Sequence, residues 1–300
     1  MSPNDANTLK ILFSPRTLNT LKIKITPNTS TTPYSSIKPT SPMRTVRPKK
    51  HLGQHFLIDL DIARRIADTV DLCPDLPILE VGPGMGVLTQ FLMKKGRPLK
   101  VVEIDRESVA YLHEHLPELK DNIISDDFLR MDLSKVFDGQ SFLLIGNYPY
   151  DISSQIFFRV AEHRELIPCC TGMIQHEVAL RMASEPGSKA YGVLSVLLQA
   201  WYDIDYLFTV DNSVFNPPPK VQSAVISMQR NSRNNLACDE KQFRNVVKTA
   251  FNQRRKMLRV SLKKMLAVEQ VLPQPFPTMR PEQLTIEQFE LLTNTIQGNR

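Results

Sequence analysis

The sequence is short of several residue types, and each shortage excludes something. Its 300 residues include four cysteines, Cys73, Cys169, Cys170 and Cys238, and no C-x-x-C pair. That count and spacing exclude a thiolate zinc site and a disulfide-dense secreted scaffold. The four are expected to be buried thiols in a reducing compartment. No apolar run approaches the ~20 residues that span a bilayer, so no membrane association is expected. Histidine is scarce, and His113, His115, His163 and His176 show no ligand spacing, so no metal is expected. The single Trp201 and the Phe157–Phe158 pair are expected in the core.

Acid is scarce in two stretches. Residues 1–43 are rich in Ser, Thr, Pro and Asn, carry scattered Lys and Arg, and are nearly free of Asp and Glu. Such a segment buries little apolar surface and is expected to be disordered. It has no compact apolar h-region, which argues against a secretory signal. Its composition also suits an organelle transit peptide. The preferred reading is a mis-annotated extension ahead of a start at Met43. The second acid-free stretch, 241–268, holds nine Lys and Arg.

What is present suits a folded protein with an anionic partner. The chain is 42% hydrophobic with a net charge of +6, and its pI is near 9.1. From Arg44 onward strand and helix patterns alternate. Residues 60–70 read as an amphipathic helix and PILEVGPGMG as a buried strand entering a glycine-rich turn. A helix over 87–95, the strand LKVVEID, a helix over 106–116, a short strand at Ile123-Ile124 and the strand SFLLIGN follow. This order implies an α/β fold with a doubly wound parallel sheet. TGMIQHEVALRMA mixes strand and helix character, YGVLSVLLQAWY reads as a helix, VFNPPPK as a rigid loop and VQSAVISMQR as a last strand. The polar NSRNN at 231–235 reads as a linker between residues 44–230 and a helical segment, 236–300.

The strand ends carry the chemistry. Gly82, Gly84 and Gly86 depart from the G-x-G-x-x-G dinucleotide pattern and, alone, fit a tight turn. Glu103, about 20 residues on, stands where doubly wound folds place a carboxylate for ribose hydroxyls. Asp105 is the alternative ribose acid or a helix cap. Asp127 can accept from the exocyclic amine of an adenine, and Phe128 can pack on its face. Three such features at successive strand ends describe a pocket for an adenosine-bearing ligand.

Asn147-Tyr148-Pro149-Tyr150 ends the next strand with no strong acid or base. The exocyclic amine of adenine is a poor nucleophile because its lone pair is delocalised into the ring. The Asn147 amide oxygen and the Pro149 carbonyl can both accept from that amine and localise the lone pair. Tyr150 can stack on an extruded base. The proton can leave after the transferred group arrives, so positioning and electrostatics suffice.

KHLGQHFL (50–57), EVGPGMG (80–86), EID (103–105), DDFL (126–129) and GNYPY (146–150) occur in this order. MIQHEVALRM (173–182), YGVLSVLLQ (191–199), VFNPPPKVQSAV (214–225) and AFNQRRKMLRVSL (250–262) follow. Over roughly 44–270 the chain resembles the rRNA adenine N6-dimethyltransferases, in particular their small-subunit branch. The resemblance implies a seven-stranded Rossmann-like class I methyltransferase sheet with helices on both faces, a small C-terminal helical domain, and S-adenosylmethionine as cofactor. It implies cofactor contacts from His55, Leu57, Gly82, Glu103, Asp127, Phe128 and Asn147. Asn147 and Pro149 would act on the target amine, with Tyr150 and Phe215 sandwiching the flipped base. His55 stands where many members carry Asn, and Tyr148 where many carry Leu; both are expected to tune the fit.

The implied reaction is dimethylation of two adjacent adenosines in the 3′-terminal hairpin loop of 16S rRNA, within a partly assembled 30S particle. The protein is expected to be a cytoplasmic monomer without metal. Lys241, Arg244, Lys248, Arg255 and Arg259 fall on one side of a continuous helix, and Lys220 follows the Pro-rich loop. Lys220, Lys248, Arg254, Arg255, Lys256 and Arg259 are the expected RNA contacts. Two rivals stand beside this reading. A related enzyme acting on large-subunit rRNA shares the Asn-x-Pro-aromatic stretch, but KHLGQHFL and AFNQRRKMLR favour the small-subunit branch. A non-catalytic binding factor derived from the family is supported only by the targeting-like N-terminus.

Overall fold

The computed structural model describes Val46, Pro48, Lys49 and residues 53–298. The expectations for residues 1–43 lie outside the described residues. Parallel strands β2 (Ile78–Val81), β3 (Leu99–Glu103), β4 (Ile123–Ser125), β5 (Leu143–Asn147) and β6 (Cys169–Gln175) make most of one sheet. Strand β9 (Ser223–Arg230) runs antiparallel to β6, and β7 (Tyr202–Val210) closes the edge beside β9. The order is β4-β3-β2-β5-β6-β9-β7. The direction of strand addition reverses between β2 and β5, and ligand crevices of open α/β sheets form at such a point.

Alternation along the strands divides the core in two. Leu79, Val81 and Leu144 face one cluster; Ile78, Leu143 and Ile145 face the other. Helices α1 (Leu60–Asp68), α2 (Thr89–Leu92) and α3 (Arg106–His115) cover the second face. Helices α4 (Ser153–Glu162), α5 (His176–Ala183) and α6 (Val193–Gln199) cover the first. Asp59 caps α1 by accepting from the Asp61 and Ile62 amides at 2.9 and 3.0 Å, which is worth about 1 kcal/mol.

Helices α7 (Glu240–Asn252), α8 (Leu258–Ser261) and α9 (Ile286–Gln297) form the C-terminal part. Phe243, Val246, Phe289 and Leu292 join the same apolar cluster as Phe157 and Val196. The polar stretch expected as a linker is pinned: Arg233 binds Glu290 at 2.8 Å and Glu287 at 2.6 Å.

Four expectations need correction. The helix over 191–202 ends at Gln199, and the following residues form β7, paired with β9. The basic stripe projected onto one helix over 241–259 is broken, because α7 ends at Asn252 and the chain turns through Arg254, Arg255 and Lys256. Phe215-Asn216 (β8) is a short strand rather than plain loop, paired antiparallel with β1 (Phe56–Leu57). Finally, Cys73 and Cys169 are joined as a disulfide across 96 residues, with Cα atoms 6.1 Å apart. The turn after α1 brings Cys73 beneath the start of β6, a juxtaposition that local spacing does not reveal. Cys170 and Cys238 are free thiols, the first buried as expected.

Candidate active site at the carboxyl ends of the strands

A cavity of about 250 Å³ opens at the carboxyl ends of β2, β3 and β5. Its wall includes His55, Leu57, Gly82, Glu103, Asp127, Phe128, Asn147, Pro149 and Tyr150. The structure thus brings together every expected cofactor and catalytic residue except Phe215. That side chain is 2% exposed, packs in the second core cluster on the strand paired beside Leu57, and is not part of the cavity wall.

Gly84 has φ +56°, and a Cβ there would stand 3.0 Å from the Phe56 ring. Only glycine tolerates both the conformation and the contact. The turn so formed directs the Gly84 amide to Glu103 Oε2 at 3.1 Å, while the Asp105 amide donates to Oε1 at 2.8 Å. Each oxygen keeps a second lone pair for a ligand hydroxyl. Burial pushes the Glu103 carboxyl above its ordinary value, and these two amides oppose the shift. Asp105 has a different role. It caps α3 through the Glu107 amide and pairs with Lys49 at 2.5 Å, leaving Glu103 as the ribose candidate.

Asp127 Oδ1 accepts from the Leu129 amide at 2.9 Å, which orders the turn after β4. Phe128 is 5% exposed, with its ring shared between the core and the cavity wall. Asn147 donates its Nδ2 to the His55 carbonyl at 3.2 Å, leaving Oδ1 as its acceptor in the cavity. The Pro149 carbonyl accepts from the Ile152 amide at 3.3 Å and retains one lone pair. Tyr150 Oη pairs with Ser223 Oγ at 2.5 Å. Burial raises the Tyr150 phenol above its ordinary value, so the ring is neutral.

Tyr148, unusual for the resemblance, is fully accommodated. Its hydroxyl donates to the Thr171 carbonyl at 2.8 Å and lies 3.2 Å from Cys170 Sγ. The ring fits because Gly172 has φ +133° and no Cβ; a Cβ there would meet the ring at 2.8 Å.

Glu80 escaped the sequence reading. It is 1% exposed near the end of β2, lines the cavity, and its Oε2 has no hydrogen-bond partner among the described residues. Burial pushes its carboxyl up to about 8, with Glu103 adding to the rise and Thr89 opposing it. An orphaned buried oxygen of this kind suits a cationic or donor group of a ligand. The acid before the glycine turn was the available signal.

The basic residues divide. Lys220, Lys248, Arg255, Lys256 and Arg259 are exposed and form no ion pair among the described residues. Arg254 is instead turned inward, donating to the Ser188 carbonyl at 3.2 Å and approaching Glu282 at 4.0 Å. Arg244 is spent on Glu162 and Glu240.

A doubly wound sheet with an adenosine-type crevice and an amide-proline-tyrosine rim defines a class I methyltransferase. Residues 46–297 match the family model for ribosomal RNA adenine dimethylase. The chain belongs to that family. It is 64% identical over 257 residues to "Ribosomal RNA small subunit methyltransferase A" of Phocaeicola vulgatus, covering 85% of this chain and 92% of that protein. Identity to the protein of the same name from Flavobacterium johnsoniae is 52%, covering 86% and 98%. Among solved structures, a dimethyladenosine transferase from Plasmodium falciparum has the same fold, with a TM-score of 0.65, 23% identity and coverage of 81% and 98%. The 23S rRNA methyltransferase ErmE aligns with a TM-score of 0.60 at 26% identity, covering 81% and 99%.

Proposed function

We propose that this protein dimethylates N6 of two adjacent adenosines in the 3′-terminal hairpin loop of small-subunit rRNA, using S-adenosylmethionine. The observation that carries the reading is Asn147. Its amide is oriented by the His55 carbonyl in a cavity that also holds Glu103, in a chain 64% identical to a small-subunit enzyme. The identity to the large-subunit enzyme ErmE is 26%, which favours the small subunit.

The residues present fit the cofactor. Glu103 suits its ribose, Asp127 and Phe128 its adenine, and the Gly82 turn with the orphaned Glu80 oxygen its cationic amino-acid part. When bound, S-adenosylmethionine supplies a methyl group already activated on a sulfonium. The protein's task is to place the amine. Asn147 Oδ1 and the Pro149 carbonyl accept its two N–H groups and bring the lone pair out of conjugation. Tyr150 holds the base plane. Water is displaced from the slot, and the proton leaves to solvent after transfer.

Residues 44–230 are assigned to this chemistry, and 236–300 with Lys220 to RNA. Lys248, Arg255, Lys256 and Arg259 supply phosphate contacts, whereas Arg254 keeps the surface in shape. The substrate is proposed to be a partly assembled 30S particle in the cytoplasm, met by a monomer. An exposed basic surface reads shape rather than sequence.

The test uses small subunits from a strain lacking this methylation, incubated with the protein and S-adenosylmethionine. Mass spectrometry of the digested RNA should give dimethyladenosine at the 3′ hairpin, and none with Asn147→Ala. Product on large-subunit RNA alone would replace the proposed substrate. Product on neither would leave a binding factor.

A further inference from the structure

Strand direction brings to the site a residue that the strand-end signals do not reveal. The parallel strands end at the cavity, so an antiparallel neighbour begins there. Strand β9 pairs antiparallel with β6, and its first residue, Ser223, stands opposite Gln175 at the carboxyl end of β6. Ser223 is fully buried and is not part of the cavity wall. Its hydroxyl meets Tyr150 Oη at 2.5 Å.

Tyr150 is therefore held at both ends. Ser153 Oγ donates to its backbone carbonyl at 3.2 Å, and Ser223 holds the far end of the ring. The phenol oxygen is the side-chain atom farthest from the backbone, so this one bond fixes the tilt of the ring. Strand β9 is a firm anchor, because it lies between β6 and β7 and is buried over its first six residues. A phenylalanine would present the same face to a base but would lack this tie.

The tie matters unequally for two successive transfers to one nitrogen. An unmodified adenine offers two N–H groups, to Asn147 Oδ1 and the Pro149 carbonyl. After one methyl has been added a single N–H remains, and one of those acceptors loses its partner. Placement of the amine then depends more on the ring that carries the base. In the second step the nitrogen lone pair forms a new N–C bond as the C–S bond of the sulfonium breaks, and the last N–H proton leaves to solvent. We propose that Ser223 is a positioning residue that, through the Tyr150 hydroxyl, holds the monomethylated base for the second transfer. It thereby sets the ratio of dimethyl- to monomethyladenosine. The inference rests on the rRNA adenine reading above.

The experiment uses the full-length protein, small subunits from a strain lacking this methylation, and saturating S-adenosylmethionine. Mass spectrometry of the digested RNA follows monomethyl- and dimethyladenosine with time. Ser223→Ala should slow the second transfer about fivefold, the factor set by one lost hydrogen bond, and the first by at most about twofold. Monomethyladenosine should accumulate. Tyr150→Phe removes the same bond without altering β9, so it should give the same accumulation even where Ser223→Ala folds poorly. The double variant should be no worse than either single variant, because both remove one interaction. A general loss of stability lowers both rates together and does not produce this pattern. The inference is overturned if Tyr150→Phe slows both transfers equally or slows neither, or if the two substitutions multiply in the double variant. Absence of any methylated adenosine with the unaltered protein would overturn the functional reading, and this inference with it.

Discussion

The rim at 147–150 and the basic surface around 248–259 are built on opposite principles. In the rim every polar side chain is tied: Asn147 to His55, Tyr148 to Thr171, Tyr150 to Ser223. On the basic surface Lys248, Arg255, Lys256 and Arg259 are exposed and form no ion pair among the described residues. Bond-making tolerates little misplacement, so the amide and ring are held by partly buried hydrogen bonds. Phosphate attraction falls slowly with distance and needs charge more than geometry, so mobile cations suffice. Asn147 and Tyr150 of the rim are expected to be intolerant of single substitutions and the surface tolerant.

The sharpest break of that contrast is Asn147→Ala. It should lower kcat about 10²- to 10³-fold, as loss of one preorganised electrostatic partner does, with little change in KM for particles. A drop confined to KM would put Asn147 among binding groups.

A smaller effect is expected from Lys256→Ala, Arg255→Ala and Arg259→Ala combined. Particle affinity should weaken, and the slope of log affinity against log salt should fall by about one per lost contact. Turnover at saturation should hold. An unchanged slope would remove these residues from the interface.

Next comes Glu80, which adds the cofactor end of the rim to the comparison. Its carboxyl is raised from 4.5 to about 8, so the folded state holds a proton that the unfolded state releases. The stability due to the neutral acid is complete below about pH 4.5 and is lost as pH rises through about 8. The slope is about 1.4 kcal/mol per pH unit within that window. Burial raises Glu103 in the same direction. Glu80→Gln should flatten this decline in melting experiments. An unaltered pH profile would show that Glu80 is charged and partnered.

The smallest effect is expected from Tyr148→Phe. It removes the bond to the Thr171 carbonyl and leaves that oxygen in the sheet ladder, costing about 1 kcal/mol of stability. Methylation at saturating substrates should stay near normal. A large loss of kcat would make Tyr148 a support of Asn147.

Much of the sheet was legible because its central strands are short buried apolar runs. ILEV and LLIG are fully covered on both faces, as parallel strands require. The acid of VVEID and the amide of IGN stood out because each polar residue directly ends such a run. Edge strand β7 was not legible. Its half-buried pattern has no Gly or Pro separating it from the helix before it. Helix α4 buries Ile156, Phe157, Val160 and Ala161 along one face, a spacing present in the sequence but not read from it. The end of α7 was missed because Arg254 to Lys256 are good helix formers, and propensity alone continues the helix.

The sequence by itself determined the fold class and which polar residues end the central strands, and on these the proposed adenosine pocket and rim chemistry rest. Those depend on residue type at strand ends, and strand ends are local features. Tertiary structure alone decided which side chains meet. It set His55 against Tyr150, left Glu80 Oε2 without a hydrogen-bond partner among the described residues, turned Arg254 inward and joined Cys73 to Cys169. Each follows from packing between segments far apart in the chain, where the competition for space and hydrogen bonds is settled only once the core has closed.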